Sequence, residues 1–568
     1  MTNKILAIFL ICSIIISGGF RKPIVEADNA TTSVEVGNTV PAFTSGQEPH
    51  ESPVSATSTP TNVGDSVTFK ATATDANNDQ WKLLICSSNT VNATSCAATT
   101  YCTSALTDSG SEASCSRTAL VGDTEIVNWY GFACDSVGCS AESHKTDDSG
   151  PPFHVNHRPV FTVFSDDSPK DPNATVTWST TSSDPDTLGS DYVQLYVCKT
   201  NAFSTSTGCI GGEWCHATST SNPTCNTTTP RPDGDYDSYG FVIDNHNFAS
   251  NDTAQGTNST MTVSNVAPSI SADSIYLLDT DGSGSLTLLN ERGETSGFTV
   301  TFVVKDDNSC KNISNGNEIS SALINVRMSE ISQANCTASG NYNPNNCYPD
   351  AYASWNPSCA ASSTVNDCTG DTDTDVGWAC TFPLQYHADP TVAGTPKAAY
   401  NWVSAVKATD DNNADTGLVD STTYSNEMDK FLAYDLSTTT LAYGTVSPNN
   451  DSSEKTISVL ATGNVGLDEM LSGTDMCTDY PTCSGNTIAV GQQKYNLTSG
   501  KGWADGSSVA LSTSPTEAEL DCAKTTVTES PASASDYWYL RVPSGQAVGT
   551  YTGQNTIEGK VDNETYGS

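Results

Sequence analysis

The sequence predicts an all-β protein built as a tandem array of β-sandwiches, and three observations carry that expectation. The chain repeats itself: "VNWYGFACD" ends at Asp135 and its run closes on "HVNHRPVFT", while "DSYGFVIDN" around Asp244 closes on "VSNVAPSIS". Asp135 to Pro159 and Asp244 to Pro268 are both separated by 24 residues, and a period of about 110 residues fits one sandwich per repeat. Within each unit, short runs alternate apolar and polar residues, as half-buried strands do. Thr, Ser, Val, Tyr, Gly and Asn dominate, and helical periodicity is nearly absent.

The strands match from unit to unit. Val67 to Ala73 alternates apolar and polar; Val176 to Ser179 and Phe298 to Phe302 read as the same strand later in the chain. A second matched pair is Trp81 to Cys86 and Tyr192 to Cys198. A third set is Trp129 to Asp135, Tyr239 to Asp244 and Asn401 to Asp410. Pro41, Pro159 and Pro268 stand where one unit hands over to the next, a place that tolerates a missing N–H.

These signals divide the chain. Residues 1–27 read as a signal peptide: Lys4, an apolar run from Ile5 to Ile16 too short to span a bilayer comfortably, and a cleavage site at Val25-Glu26-Ala27. Ile11 stands where a lipoprotein signal needs a small residue, so a lipid anchor at Cys12 is not expected. Residues 28–40 form an N-terminal strand or linker, and no membrane span is expected in the mature chain. Sandwiches follow at 41–157, 158–266, 267–429 and 430–568. The third carries a Cys- and Asn-rich insertion between Cys336 and Cys380, and the fourth is divergent.

The first three units resemble the broad group of bacterial and archaeal Ig-like, PKD-like and cadherin-like repeats. The fourth, with "LAYGTVSP" and "YWYLRVPSGQAVGTYTGQNTIEG", resembles the Ig-like terminal module of prokaryotic surface proteins. The resemblance implies a structural or adhesive protein at a cell surface, and fold analogy of this kind names no reaction.

Sixty-five acidic residues against 24 Lys and Arg leave a formal net charge of −41. Phosphate neutralisation needs basic clusters, so nucleic acid is not a natural partner. The expected partner is a cell-surface protein or glycan. Acidity of this size fits solubility, a high-salt habitat or divalent-cation binding.

Nineteen of the 20 cysteines lie beyond the signal, a density that reads as disulfides formed in an oxidising compartment. Cys86, Cys96, Cys102 and Cys115 in the first unit correspond in order to Cys198, Cys209, Cys215 and Cys225 in the second. Four cysteines allow three pairings. The nested one, Cys86–Cys115 around Cys96–Cys102 and Cys198–Cys225 around Cys209–Cys215, is favoured because it staples a long Ser/Thr-rich loop. Cys134–Cys139 and Cys477–Cys483 are near enough to pair locally, leaving Cys522 as a buried thiol. Spacing and compartment speak against zinc.

The sharpest local motif is Asp279-Thr280-Asp281-Gly282-Ser283-Gly284-Ser285-Leu286. Asp279, Asp281 and Ser283 fill the first ligand positions of an EF-hand-type calcium loop, with Ser285 beside them, but Asp-Gly-Ser-Gly is equally an ordinary hairpin turn. Here Ile275–Leu278 and Leu286–Leu289 are the expected hairpin strands. A distributed calcium site follows from strand direction. In an Ig-type sandwich the second and sixth strands end at the pole where the domain is entered. Asp75 and Asp135 then lie near Pro41, Asp184, Asp186 and Asp244 near Pro159, and Asp306 and Asp410 near Pro268. Those acids either hold Ca2+ at the junctions, as the cadherin-like resemblance implies, or are solvated turn residues.

No metalloprotease His spacing, Gly-x-Ser-x-Gly elbow or phosphate loop is present, so no enzyme is expected. The expectation is a disulfide-stapled rod of four sandwiches. A rival is a secreted enzyme or carbohydrate-binding module in which the third unit's insertion forms a groove, with exposed Trp355 and Trp378 as its sugar platform. Finally, Thr31 to Phe43 resembles Ser259 to Ile270, the last strand of unit two running into unit three. Such an orphan strand can fray, fold back, or add to the fourth unit of a neighbour in head-to-tail self-association.

Overall fold

The computed structural model describes residues 33–422 and 425–563. The expected signal peptide, its cleavage site and Cys12 lie outside the described residues. The described residues form two compact bodies, 33–157 and 158–563, and each is built from mainly antiparallel sheets folded face to face. No helix among the described residues is long and apolar enough to cross a membrane.

In the first body, the Ser66–Thr74 strand alternates inward and outward residues along its length. It pairs with Glu112–Thr118 on one side and with Ala42–Phe43 and His50–Glu51 on the other. The facing sheet centres on Lys82–Cys86, flanked by Tyr130–Cys134 and Thr100–Thr103. Phe69, Trp81, Trp129 and Phe153 fill the space between the sheets and are fully buried. Burial of one such aromatic contributes on the order of 2–3 kcal/mol.

The second body begins with the same plan. Thr175–Ser183 pairs with Val160–Asp166 and Cys225–Thr228, and Val193–Cys198 lies between Glu213–Ser219 and Tyr239–Asp244. Met261–Val263 closes this sandwich against Gly234–Tyr236. The third sandwich sets Glu294–Lys305 against Asp375–Gln385 and Ile319–Met328 against Trp402–Asp410. The fourth places Lys455–Ala461 and Ser533–Leu540 in one sheet and Leu467–Gly473, Thr516–Cys522 and Asn555–Val561 in the other.

The nested disulfide pairing is corrected. Cys86 bonds Cys96 and Cys102 bonds Cys115 in the first sandwich; Cys198 bonds Cys209 and Cys215 bonds Cys225 in the second. The reason is the path of the loop. A small hairpin, Val91–Asn92 with Ser95–Cys96, turns Cys96 back onto Cys86. Thr100–Thr103 then runs along Lys82–Cys86, placing Cys102 opposite Ile85. Cys115 lies in the other sheet, opposite Phe69. The Cys102–Cys115 bond therefore ties the two sheets together, and Cys215–Cys225 does so in the second sandwich. Cys134–Cys139 and Cys477–Cys483 pair as expected, and Cys522 is a buried free thiol.

The third sandwich's insertion is closed by Cys310–Cys368, Cys336–Cys347 and Cys359–Cys380. Trp355 and Trp378 are 4% and 5% exposed, and the Trp355 indole N–H donates to the Pro383 carbonyl at 2.9 Å. They are core residues, which removes the groove proposed for the rival reading.

Candidate functional site

The entry pole of the third sandwich is assembled from three strand ends. Glu294–Lys305 runs into Asp306, Asp307 and Asn308; Trp402–Asp410 runs into Asp411; Glu318 immediately precedes Ile319–Met328. The pole receives residues 264–266 from the second sandwich. Asp410, fully buried, accepts the Ala414 N–H at 2.7 Å on Oδ1 and the Asn265 side-chain amide at 3.0 Å on Oδ2. Asp306 Oδ1 accepts the Asn308 N–H at 2.8 Å, which orients the Asn308 side chain as a clip. Its oxygen accepts the Val266 N–H at 2.5 Å, and its amide donates to the carbonyls of Ser264 at 2.9 Å and Arg231 at 3.2 Å.

This network leaves three buried oxygens unused. Asp306 Oδ2 and both carboxylate oxygens of Glu318 have no hydrogen-bond partner among the described residues, and Glu318 is 0% exposed. One oxygen each from Asp233, Glu318 and Asp411 lies within 4.8 Å of the others. Asp233 belongs to the second sandwich, so the cluster spans the junction. Asn412 donates to Asp233 Oδ2, and Asn312 donates to Asp411 Oδ2 at 2.8 Å. Burial first, then the neighbouring carboxylates Asp411, Asp233, Asp306 and Asp410, push Glu318 up to about 8. Burial likewise pushes Asp306 up to about 7, with Asp410 and Asp233 adding to it. Unpaired buried charge is costly. Either protons or a cation must offset it, and a hard divalent ion with oxygen ligands suits this donor set.

The other poles repeat the local geometry. In the first sandwich, Asp75 Oδ1 accepts the Asn77 N–H at 2.7 Å, and Asp75 Oδ2 is buried without a partner. Asp135 Oδ1 accepts the N–H groups of Val137 and Gly138, both at 2.9 Å. Asn38 donates to Asp135 Oδ2 at 2.9 Å, and Asn77 accepts the Thr39 N–H at 2.9 Å. In the second sandwich, Asp184 Oδ1 accepts the Asp186 N–H at 3.0 Å, and Asp244 Oδ1 accepts the N–H groups of His246 and Phe248. Burial, then Asp244, Asp186 and Asp191, lift Asp184 to about 7. Asp184, Asp186 and Asp244 are thus neighbours at the pole of the second sandwich, and Asp306 and Asp410 at the pole of the third.

The local motif is arranged differently. Asp279 Oδ1 accepts the Thr287 N–H at 3.3 Å, Asp281 Oδ1 accepts the Ser283 N–H at 2.8 Å, and Ser283 and Ser285 point to solvent. Leu286 bridges Met428, and Tyr276–Leu278 pairs with Glu294–Lys305, so the two flanking runs are not hairpin partners. The acids of this turn are committed to their own backbone.

Sequence reasoning missed Asp233, Glu318 and Asp411. Asp411 is adjacent to the named Asp410, a usable signal. Glu318 and Asp233 carry no local mark, because only the packing of the second sandwich on the third brings them together.

No protein-family model matches the chain, and no curated protein matches it. Among solved structures, three consecutive Ig domains of titin share 9% identity and a TM-score of 0.30, covering 68% of this chain and 98% of that one. Fibronectin(III)-like modules of Clostridium thermocellum CbhA share 17% identity and a TM-score of 0.20, covering 38% and 93%. A four-domain ectodomain fragment of ICAM-5 shares 9% identity and a TM-score of 0.23, covering 90% and 99%. The chain is all-β, an array of Ig-like sandwiches, as the pairing of its own sheets shows.

Proposed function

We propose that the chain is an exported structural or adhesive protein whose sandwich junctions are fixed by Ca2+, with a cell-surface protein or glycan as partner. Nine disulfides are formed among the described residues, a load that belongs in an oxidising compartment. A net charge of −41 suits a soluble surface protein and an environment rich in divalent cations. The role is mechanical and recognitional rather than catalytic.

The observation that carries the calcium reading is Glu318. Its two oxygens are buried and unpartnered beside the carboxylates of Asp233 and Asp411. Calcium takes six to eight oxygen ligands. Here Asp233, Asp306, Glu318 and Asp411 would supply carboxylate oxygens from both sides of the junction. Binding then fixes the second sandwich against the third and removes the cost of the buried charge.

Calorimetric titration of the chelated protein with Ca2+ tests this reading. Saturable binding that Glu318→Gln weakens at least about tenfold, or ~1.4 kcal/mol, is expected. Binding that Glu318→Gln leaves unchanged would show that the ion, if any, lies elsewhere.

A further inference from the structure

The fourth sandwich has an open flank. Tyr434–Leu436 ends one of its sheets and Asn555–Val561 ends the other, and each is paired on one side only. At the far half of this flank, the Tyr434 hydroxyl donates to the Ile557 carbonyl at 2.9 Å, and its ring lies over Gly559. The near half, from Asn555 to Ile557, opens into a cavity of about 780 Å³. Leu436, Leu441, Ile457, Met476, Tyr551 and Ile557 give it apolar walls from both sheets. A space of this kind between two sheet ends is where a sandwich ordinarily carries another strand.

The segment 33–40 has the opposite problem. Its residues repeat the hand-over from the second sandwich to the third. Asn38 meets Asp135 as Asn265 meets Asp410, and Thr39 N–H meets Asn77 as Val266 N–H meets Asn308. By that register Val34 and Val36 correspond to Met261 and Val263, which are 0% and 2% exposed inside the second sandwich. Val34 and Val36 themselves are 86% and 77% exposed, and residues 33–36 belong to no sheet among the described residues. The segment has the sequence of a final sandwich strand, is docked at its end on the first sandwich, and leaves its apolar residues unburied.

We propose that residues 33–36 of one copy insert as a strand into the open flank of the fourth sandwich of a second copy. Val34 and Val36 enter the cavity, and the backbone adds to the free edge at Asn555–Ile557. The contact joins different surfaces of the two copies, so it propagates head to tail. It involves no residue of the proposed calcium site, and its failure is separable from failure of that site.

Sedimentation of the secreted protein over a concentration series, in calcium and in chelator, tests the proposal. Self-association is expected, and the Val34→Asp/Val36→Asp double variant is expected to weaken it at least about tenfold. These side chains are exposed, so circular dichroism should show the fold retained. A second measurement mixes Val36→Cys protein with Thr439→Cys protein under mild oxidation, and a disulfide-linked pair between the two variants is expected. A protein that stays monomeric, assembly that survives the double variant, or a mixture that gives no linked pair would each overturn the proposal.

Discussion

Asn265 donates its side-chain amide to Asp410 at 3.0 Å, and at the entry pole of the first sandwich Asn38 donates to Asp135 at 2.9 Å. One linker asparagine and one strand-end aspartate make the same latch twice. At these two poles the strand-end aspartate fixes the segment that enters its sandwich. Asn265→Ala leaves a fully buried carboxylate oxygen of Asp410 without its donor. A loss of about 1–3 kcal/mol is expected. Urea unfolding followed at the third sandwich checks it, and Asn265→Asp should be worse because it sets two carboxylates together.

The fourth sandwich is expected to lose stability as pH rises. Glu469 and Asp536 are both 0% exposed and lie against each other between the sheets, with Trp538 Nε1–H donating to Asp536 at 2.7 Å. Burial, reinforced by Asp536, holds Glu469 protonated well above the usual carboxyl range. The folded state therefore keeps a proton that the unfolded chain releases above about pH 4.5. Stability is full below that value and declines as pH rises toward the folded pKa. Calorimetry from pH 5 to pH 9 should show this decline, and Glu469→Gln should flatten it while raising the melting temperature at pH 8.

Cys522 should be inert in the folded protein. It is 0% exposed, and burial pushes its thiol up to about 11, so little thiolate is present at neutral pH. Alkylation should be negligible in native protein and complete in denaturant. Rapid native labelling would contradict this.

Non-reducing peptide mapping should return Cys86–Cys96 with Cys198–Cys209, and Cys102–Cys115 with Cys215–Cys225. Replacing Cys102 and Cys115 together by Ala should cost about 2–4 kcal/mol, because the bond joins the two sheets.

What the sequence disclosed was periodic or local. The alternation at Val67–Ala73 reappears as the inward and outward faces of Ser66–Thr74. Strand direction brings Asp306 and Asp410 to one pole, and matched spacing gives both sandwiches the same disulfide pattern. The remainder depends on packing. Nested and sequential pairings look alike until the Val91–Cys96 hairpin turns the loop back. Trp355 and Trp378 could be a platform or core until three disulfides fold the insertion over them. Asp233 and Glu318 are ordinary residues until two sandwiches meet.

The most direct test of the calcium-fixed junction is a pair of thermal melts, with Ca2+ and with chelator at constant ionic strength, on the native protein and on Glu318→Gln. Calcium should raise the melting temperature of the native protein through selective binding to the folded state. In chelator the variant should melt at or above the native protein, because a buried unpaired carboxylate has been removed. In calcium it should melt below. Melts that calcium does not move, or an identical calcium shift in protein and variant, would contradict the account.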